Sequence, residues 1–347
     1  MHELIVNRRQ PEVDPVLYAW KWEIPIDLFF AAAVAGMMML GGLALARALR
    51  NERFPVRVHA PLLAFGLVHI CLIALFLDLS HKLYVWRLYL TLQPAAPMSW
   101  GSWVLTGSYV LLAATALVDL PARWPWLARR LPLVARVSVW LGASRTRLAW
   151  LAWANMVFGL TLALYTGVLL ATMVARPLWN SMVLPPLFLA SGLASGAAIM
   201  ALAARFVPLR AAAPAGFFGG LVNALIVPAP GGARSGADAG WFTRAALVFL
   251  VAQAVLLALL AIGLATSGAS QAVALQLIWS GAFAAAFWSL VVVAGIALPV
   301  LLLAGARRLP AFATPVALVL LLAGGLALRW VLVDAGQASR FLSAAGL

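Results

Sequence analysis

Unbroken apolar runs of about 20 residues recur along this 347-residue chain, and they limit its fold more than any other feature. Each is close to the length an α-helix needs to cross a hydrocarbon core. Inside a bilayer, backbone N–H and C=O groups find no water, so only helices and closed barrels satisfy them. A barrel is written in segments of roughly ten residues alternating inward and outward, whereas these runs are continuous. With 65% apolar and 10% charged residues, the chain is also far from soluble domains, which run at about 45–50% and about 25%. The same composition and a mean hydropathy of +1.01 exclude disorder. The expected class is an all-α polytopic membrane protein.

The runs are Ile24 to Leu45, Ala60 to Leu79, Trp100 to Val118, Leu148 to Val174, Met182 to Ala204, Ala245 to Ala265, Ala272 to Ala304 and Pro310 to Val333. They give eight transmembrane helices, expected as two four-helix bundles over residues 23–180 and 181–347. The seventh run is long enough to be tilted or to contain a loop turn. Ala211 to Val227, interrupted by Pro214, Gly219, Gly220 and Asn223, reads as a loop or half-helix within a long loop at about 205–243. Residues 1–22 carry Pro11, Pro15, Tyr18 and Trp20 and read as an ordered extramembrane segment. A cleavable signal is not expected, because the first apolar run is full length and no small-residue cleavage site follows it. Arg8-Arg9 is followed by Glu12 and Asp14 rather than by an apolar region.

Charge sets the orientation. Loops after spans one, three, five and seven hold 16 of the 24 basic residues and three acids, while the opposite face holds eight basic residues and seven acids. By the positive-inside rule the first set is cytoplasmic, the 205–243 loop included, and both termini are extracytoplasmic. A ninth span at Ala211 to Val227 would separate Arg234, Arg244, Arg307 and Arg308 from the earlier basic clusters, so eight is preferred. The net charge of +14, which in a soluble protein would point to nucleic acid, is explained by this asymmetry, and no nucleic-acid partner is expected.

The single cysteine, Cys71, excludes an intrachain disulfide and an all-cysteine cluster. Of His2, His59, His69 and His81 only His69 lies well inside an apolar run, so a bis-histidine haem is not expected either. No metal-ligand spacing, nucleotide loop or nucleophile motif is present.

Ionisable residues in membrane helices are costly and mark function by default. Glu23 and Asp27 begin the first span four residues apart and share a helix face. Asp78 and His81 close the second span, which in an antiparallel hairpin sets them at the outer level of Glu23. Lys82, Arg87 and Arg176 fall on that level, with Trp20, Trp22, Trp86, Trp100, Trp103 and Trp179. Tryptophans there are commonly an interfacial belt, and Glu23 is near enough to the headgroups to be solvated; Asp27, about one turn or roughly 5 Å deeper, is harder to explain by structure alone. His69 is either a packing residue or part of a proton route. Gly36, Gly41 and Gly42, with Ser191, Gly192, Ser195 and Gly196, read as close helix contacts. Asn155, Thr161, Tyr165 and Thr166 suit a site lining or an interhelical hydrogen bond. Arg329 is expected to snorkel to the interface.

Specific strings then become informative. Trp20-Lys-Trp-Glu-Ile-Pro-Ile-Asp-Leu-Phe-Phe30 followed by Gly36 resembles the first helix of the NrfD-like family, the membrane subunits of polysulfide reductase and related oxidoreductases. Four further stretches agree in order: Leu77-Asp-Leu-Ser-His-Lys82 with Trp86; Met98-Ser-Trp-Gly-Ser-Trp103; Tyr165-Thr-Gly-Val-Leu-Leu170 with Pro177-Leu-Trp-Asn180, Leu184-Pro185 and Ser191-Gly-Leu193; and Gly324-Gly-Leu-Ala-Leu-Arg-Trp330 with Ala335-Gly-Gln337.

The resemblance implies a subunit of a bacterial inner membrane that binds menaquinone or ubiquinone near the extracytoplasmic surface and carries no haem or iron–sulfur cluster. Its implied partners are a four-cluster ferredoxin-like iron–sulfur subunit on the periplasmic side and, through it, a molybdopterin catalytic subunit or a multihaem cytochrome. Glu23 matches the family's polar first-helix position and Asp78 its aspartate at the end of span two. Proton transfer is expected at Glu23, Asp27 and Asp78, and quinone contacts at Trp20, Glu23, Asp78, His81, Trp103 and Arg176. Asp27 stands where the family more often has tyrosine, and His81-Lys82 replaces its usual glycine-arginine pair. Arg176 is a candidate for a quinone carbonyl or for the iron–sulfur partner. A proton- or ion-coupled transporter is the competing reading, disfavoured because coupling residues then tend to sit near the midplane. A purely structural anchor is the third.

Overall fold

The computed structural model describes residues 20–50, 60–123, 129–206, 236–306 and 308–339. His2, His59, the Arg8-Arg9 pair, the segment before Trp20 and most of the 205–243 loop, with Ala211 to Val227, lie outside the described residues. Within them all regular structure is helical, and eight helices are long and apolar enough to cross a membrane.

The first two spans are α1 (Glu23–Leu49) and α2 (Ala60–Asp78). A 3-10 turn (Lys82–Tyr84) leads to α3 (Val85–Leu90), and the third span lies within α4 (Pro97–Arg123). The short α5 (Pro132–Gly142) precedes α6 (Arg145–Ala171) and α7 (Leu184–Phe206), the fourth and fifth spans. Proline opens both α4 and α5, a position where its missing N–H costs no hydrogen bond, and the Ser144 hydroxyl caps α6 by accepting from the Arg147 amide. The sixth span is in α8 (Gly236–Ser267).

The seventh apolar run is interrupted: α9 (Ala269–Trp279) ends at a turn over Ser280–Phe283. The crossing helix is Ala284–Ala304, built from α10 (Ala284–Ala286), a π-helical stretch (Phe287–Ala297) and α11 (Leu298–Ala304). Pro299 lacks an N–H and its ring crowds the carbonyl of the preceding turn, and the wider π turns just before it accommodate the lost bond. The eighth span is α12 (Ala313–Ala338).

α1 is the structural centre, packed against α2, α6, α7 and α12. Round it α2 meets α4 and α4 meets α6; beyond it α7 meets α8, and the π stretch and α11 bring α12 back against α7. Bilayer helices gain little from hydrophobic exclusion, so small residues that let backbones approach hold them together. A Cβ on Gly192 would lie 2.6 Å from the Ala32 carbonyl oxygen, and one on Gly196 would lie 2.6 Å from the backbone of Gly36 and Met37. Gly42 and Gly159 perform the same task between α1 and α6, and Gly295 meets Gly324 backbone to backbone. Asn155 on α6 donates to the Thr115 hydroxyl on α4 at 2.8 Å, which settles its role as an interhelical tie.

Candidate functional site

The N-terminus of α1 brings two carboxylates to one end of the fold. Glu23 stands in the first turn, where the exposed amides and helix dipole favour negative charge. Its Oε2 is buried and has no hydrogen-bond partner. Asp27, one turn deeper, accepts the thiol hydrogen of Cys71 on α2, with Sγ 2.7 Å from Oδ1. Asp78 ends α2 seven residues beyond Cys71, on the same helix face, and lies within electrostatic reach of Glu23, Lys82 and Lys21. It acts in turn on Asp27.

Two tyrosines complete the cluster. Tyr89 on α3 is half-buried, and burial pushes its hydroxyl above the ordinary phenol range, with Cys71 and Asp27 adding to the effect. Tyr165 on α6 lies within the field of Asp27, and its hydroxyl end packs onto Gly101 of α4, where a Cβ would collide with it. Four helices, α1, α2, α3 and α6, thus supply Glu23, Asp27, Cys71, Asp78, Tyr89 and Tyr165, and α4 packs against Tyr165 through Gly101. Such a set can accept protons, relay them between neighbouring carboxylates and hold a hydroxyl- or carbonyl-bearing ring by hydrogen bonds.

Glu23, Asp27 and Asp78 converge as the hairpin geometry requires. The remaining expected contacts divide. Trp20 belongs to a second cluster: its backbone N–H donates to Gln337 Oε1 at 2.9 Å, its carbonyl accepts from Gln337 Nε2 at 2.8 Å, and its ring lies 5.3 Å from that of Trp179. Arg176 is buried there too, donating from Nη1 to the carbonyls of Ser339 at 2.9 Å and Gln337 at 3.2 Å. The Trp179 indole N–H donates to the Leu332 carbonyl at 2.8 Å. These bonds tie the start of α1 and the α6–α7 link to the end of α12. His81 is exposed and meets Tyr84 edge to face. Trp103 is 44% exposed on α4.

His69 has both ring nitrogens engaged, Nδ1 with the Phe65 carbonyl at 2.7 Å and Nε2 with the Tyr109 hydroxyl at 3.3 Å, which ties α2 to α4. The snorkelling expected of Arg329 is corrected: the side chain is fully buried, because Phe188 of α7 and Phe29 of α1 close over its guanidinium.

Sequence reasoning missed Cys71 and Tyr89 as site residues. The signal for Cys71 was its seven-residue spacing from Asp78, two helical turns on one face. Tyr89 had no comparable signal, since α3 is too short to show periodicity. Among the described residues no three histidine, cysteine or acidic side chains group to hold a metal ion.

The chain matches the family described as "Polysulphide reductase, NrfD" over residues 12–215 and 213–340. It is also 27% identical, over 330 residues, to the C subunit of polysulfide reductase from Wolinella succinogenes, an alignment that takes in 92% of the present sequence and 94% of that protein.

Proposed function

Since the chain belongs to the NrfD polysulphide reductase family, we propose that it is the quinone-reactive membrane subunit of a respiratory oxidoreductase complex. It exchanges electrons between membrane menaquinone or ubiquinone and an extracytoplasmic iron–sulfur subunit. That subunit serves a molybdopterin catalytic subunit or a multihaem cytochrome. The observation that carries the reading is the buried, unpartnered Glu23 Oε2 beside Asp27 and Asp78.

Oxidation of a quinol to a quinone releases two electrons and two protons. Glu23, at the mouth of α1, takes a hydroxyl proton through Oε2. Asp27 lies one turn deeper and is held in place by Cys71; Asp78 passes protons outward past Lys82 and Lys21. Tyr89 and Tyr165, both within the electrostatic reach of Asp27, orient a ring by hydroxyl contacts. Quinone reduction uses the same groups in reverse. Glu23 and Asp78 lie at the ends of their spans rather than at the midplane, which favours this reading over a coupled transporter.

The test is quinone retention. Complex purified with its membrane quinone is extracted and the quinone quantified, native against Glu23→Gln and Tyr89→Phe. The reading expects near-stoichiometric quinone in the native complex and a several-fold loss in both variants. Absence of quinone from an intact native complex, or equal content in all three, contradicts it.

A further inference from the structure

Arg329 lies on α12 roughly 13 Å along the helix axis from Ala338, and no solvent reaches it. Its Nη1 donates to the Ser191 hydroxyl on α7 and, at 3.0 Å, to the Gly325 carbonyl one turn back on α12. Its Nε and Nη2 are buried and have no partner, and neither has the hydroxyl of Ser195, one turn along α7 from Ser191. A guanidinium keeps its proton inside proteins. A full positive charge therefore sits between α1, α7 and α12, and among the described residues no carboxylate neutralises it. The rings of Phe188 and Phe29, with centroids 5.0 and 5.9 Å from Cζ, offer it their π faces, but a quadrupole does not replace a counter-ion.

The unsatisfied groups share one chemistry. Nε and Nη2 are donors without acceptor capacity, and the Ser195 hydroxyl can turn its hydrogen toward a neighbour. The guanidinium and the Ser195 hydroxyl flank one glycine: a methyl group on Gly325 would lie 3.1 Å from Ser195 Oγ, 3.2 Å from the Phe29 ring and 3.8 Å from Arg329 Nη1. Buried, unpaired donors on an uncompensated cation and on the hydroxyl beside it call for an acceptor that carries negative charge. The walls, two phenyl rings and the backbone of Gly325, favour a compact ion of low hydration cost over a carboxylate or phosphate. We propose that Arg329 and Ser195 hold a small monovalent anion of the halide class, bound as a structural counter-ion between α1, α7 and α12. Water would fill the hydrogen bonds but leave the charge unpaired. The site is separate from the quinone chemistry proposed above and does not depend on it.

The experiment uses the full chain in its native complex. Thermal unfolding is followed at constant ionic strength while sodium gluconate is replaced stepwise by sodium chloride or sodium bromide. Native protein is expected to gain several degrees along a single-site saturation curve with either halide. Ser195→Ala should need about tenfold more halide for half the effect, roughly 1.4 kcal/mol, and Arg329→Gln should lose the response. A surface control, Arg308→Gln, should respond as native. Equal unfolding midpoints in gluconate and chloride for the native protein overturn the proposal, as does a native response in Arg329→Gln. If Arg329→Gln yields no folded protein, Ser195→Ala decides, and an unchanged half-saturation overturns the proposal.

Discussion

The thiol of Cys71 donates to Oδ1 of Asp27 across the α1–α2 contact, Sγ to oxygen 2.7 Å. The sole cysteine of the sequence thereby fixes the orientation of the deeper carboxylate of the pair on α1. Cys71→Ala deletes the donor, and Cys71→Ser restores one at similar volume. A side-chain hydrogen bond of this kind is worth about 1 kcal/mol, so the alanine variant should lose quinol-linked turnover about fivefold while the serine variant keeps most of it. Steady-state turnover in assembled complex checks this, and equal losses in the two variants would make Cys71 a packing residue only.

The glycine contact between α1 and α7 predicts an asymmetric response to added methyl groups. Gly196→Ala places a Cβ 2.6 Å from the backbone of Gly36 and Met37, so the helices must separate, at a typical cost of about 1–3 kcal/mol. Gly263 on α8 has open space around a Cβ, and Gly263→Ala should be neutral or stabilising by up to about 1 kcal/mol through helix propensity. Thermal unfolding in detergent separates the two, and a drop for both would indicate that α8 packs against a further surface at Gly263.

Much of the fold was legible in the sequence because hydropathy and length alone decide whether a helix crosses a bilayer. The turn at Ser280–Phe283 was harder to place, since apolar residues flank it on both sides and nothing polar marks it. Counting turns along a hairpin sets Asp78 at the level of Glu23, and the two lie within electrostatic reach of each other. The same count fixes depth but not the direction a side chain faces round its helix. That is why Trp20 and Arg176, on the right level, belong to the tie with α12, and why Arg329, apparently near an interface, is enclosed by Phe29 and Phe188. Tyr89 lay in a helix of six residues with no pattern to read.

Gln337 bonds both backbone groups of Trp20, as a neighbouring peptide would. Gln337→Ala should lower stability by about 1–2 kcal/mol and leave turnover per assembled complex within twofold, because Gln337 bonds the Trp20 backbone and not a carboxylate. Unfolding midpoints and turnover measured on the same preparations test this; a larger loss of turnover than of assembly would put the tie inside the quinone site.

Asn155 and Thr115 join α6 to α4 at 2.8 Å. A double-mutant cycle with Asn155→Ala and Thr115→Val should give a coupling of about 0.6 kcal/mol, the usual worth of an interhelical bond in a bilayer. A coupling near zero would mean that Asn155 is satisfied by the Leu151 carbonyl alone.

The arginine distribution predicts that the α6–α7 link is extracytoplasmic. In a Cys71→Ser background, a membrane-impermeant thiol reagent added to intact cells with a permeable outer layer should label Ser181→Cys, in the α6–α7 link, and spare Arg50→Cys at the end of α1. The opposite pattern would invert the topology and put the carboxylate cluster on the cytoplasmic side.

In the proposed function Glu23, Asp27 and Asp78 carry quinone chemistry. The most direct measurement is quinol-dependent reduction of the partner's iron–sulfur clusters in purified complex, native against Glu23→Gln and Asp78→Asn, with assembly checked in parallel. Loss of cluster reduction in intact complexes, at least tenfold for Glu23→Gln, is the predicted result; unchanged rates in both variants would contradict the account and leave the subunit an anchor.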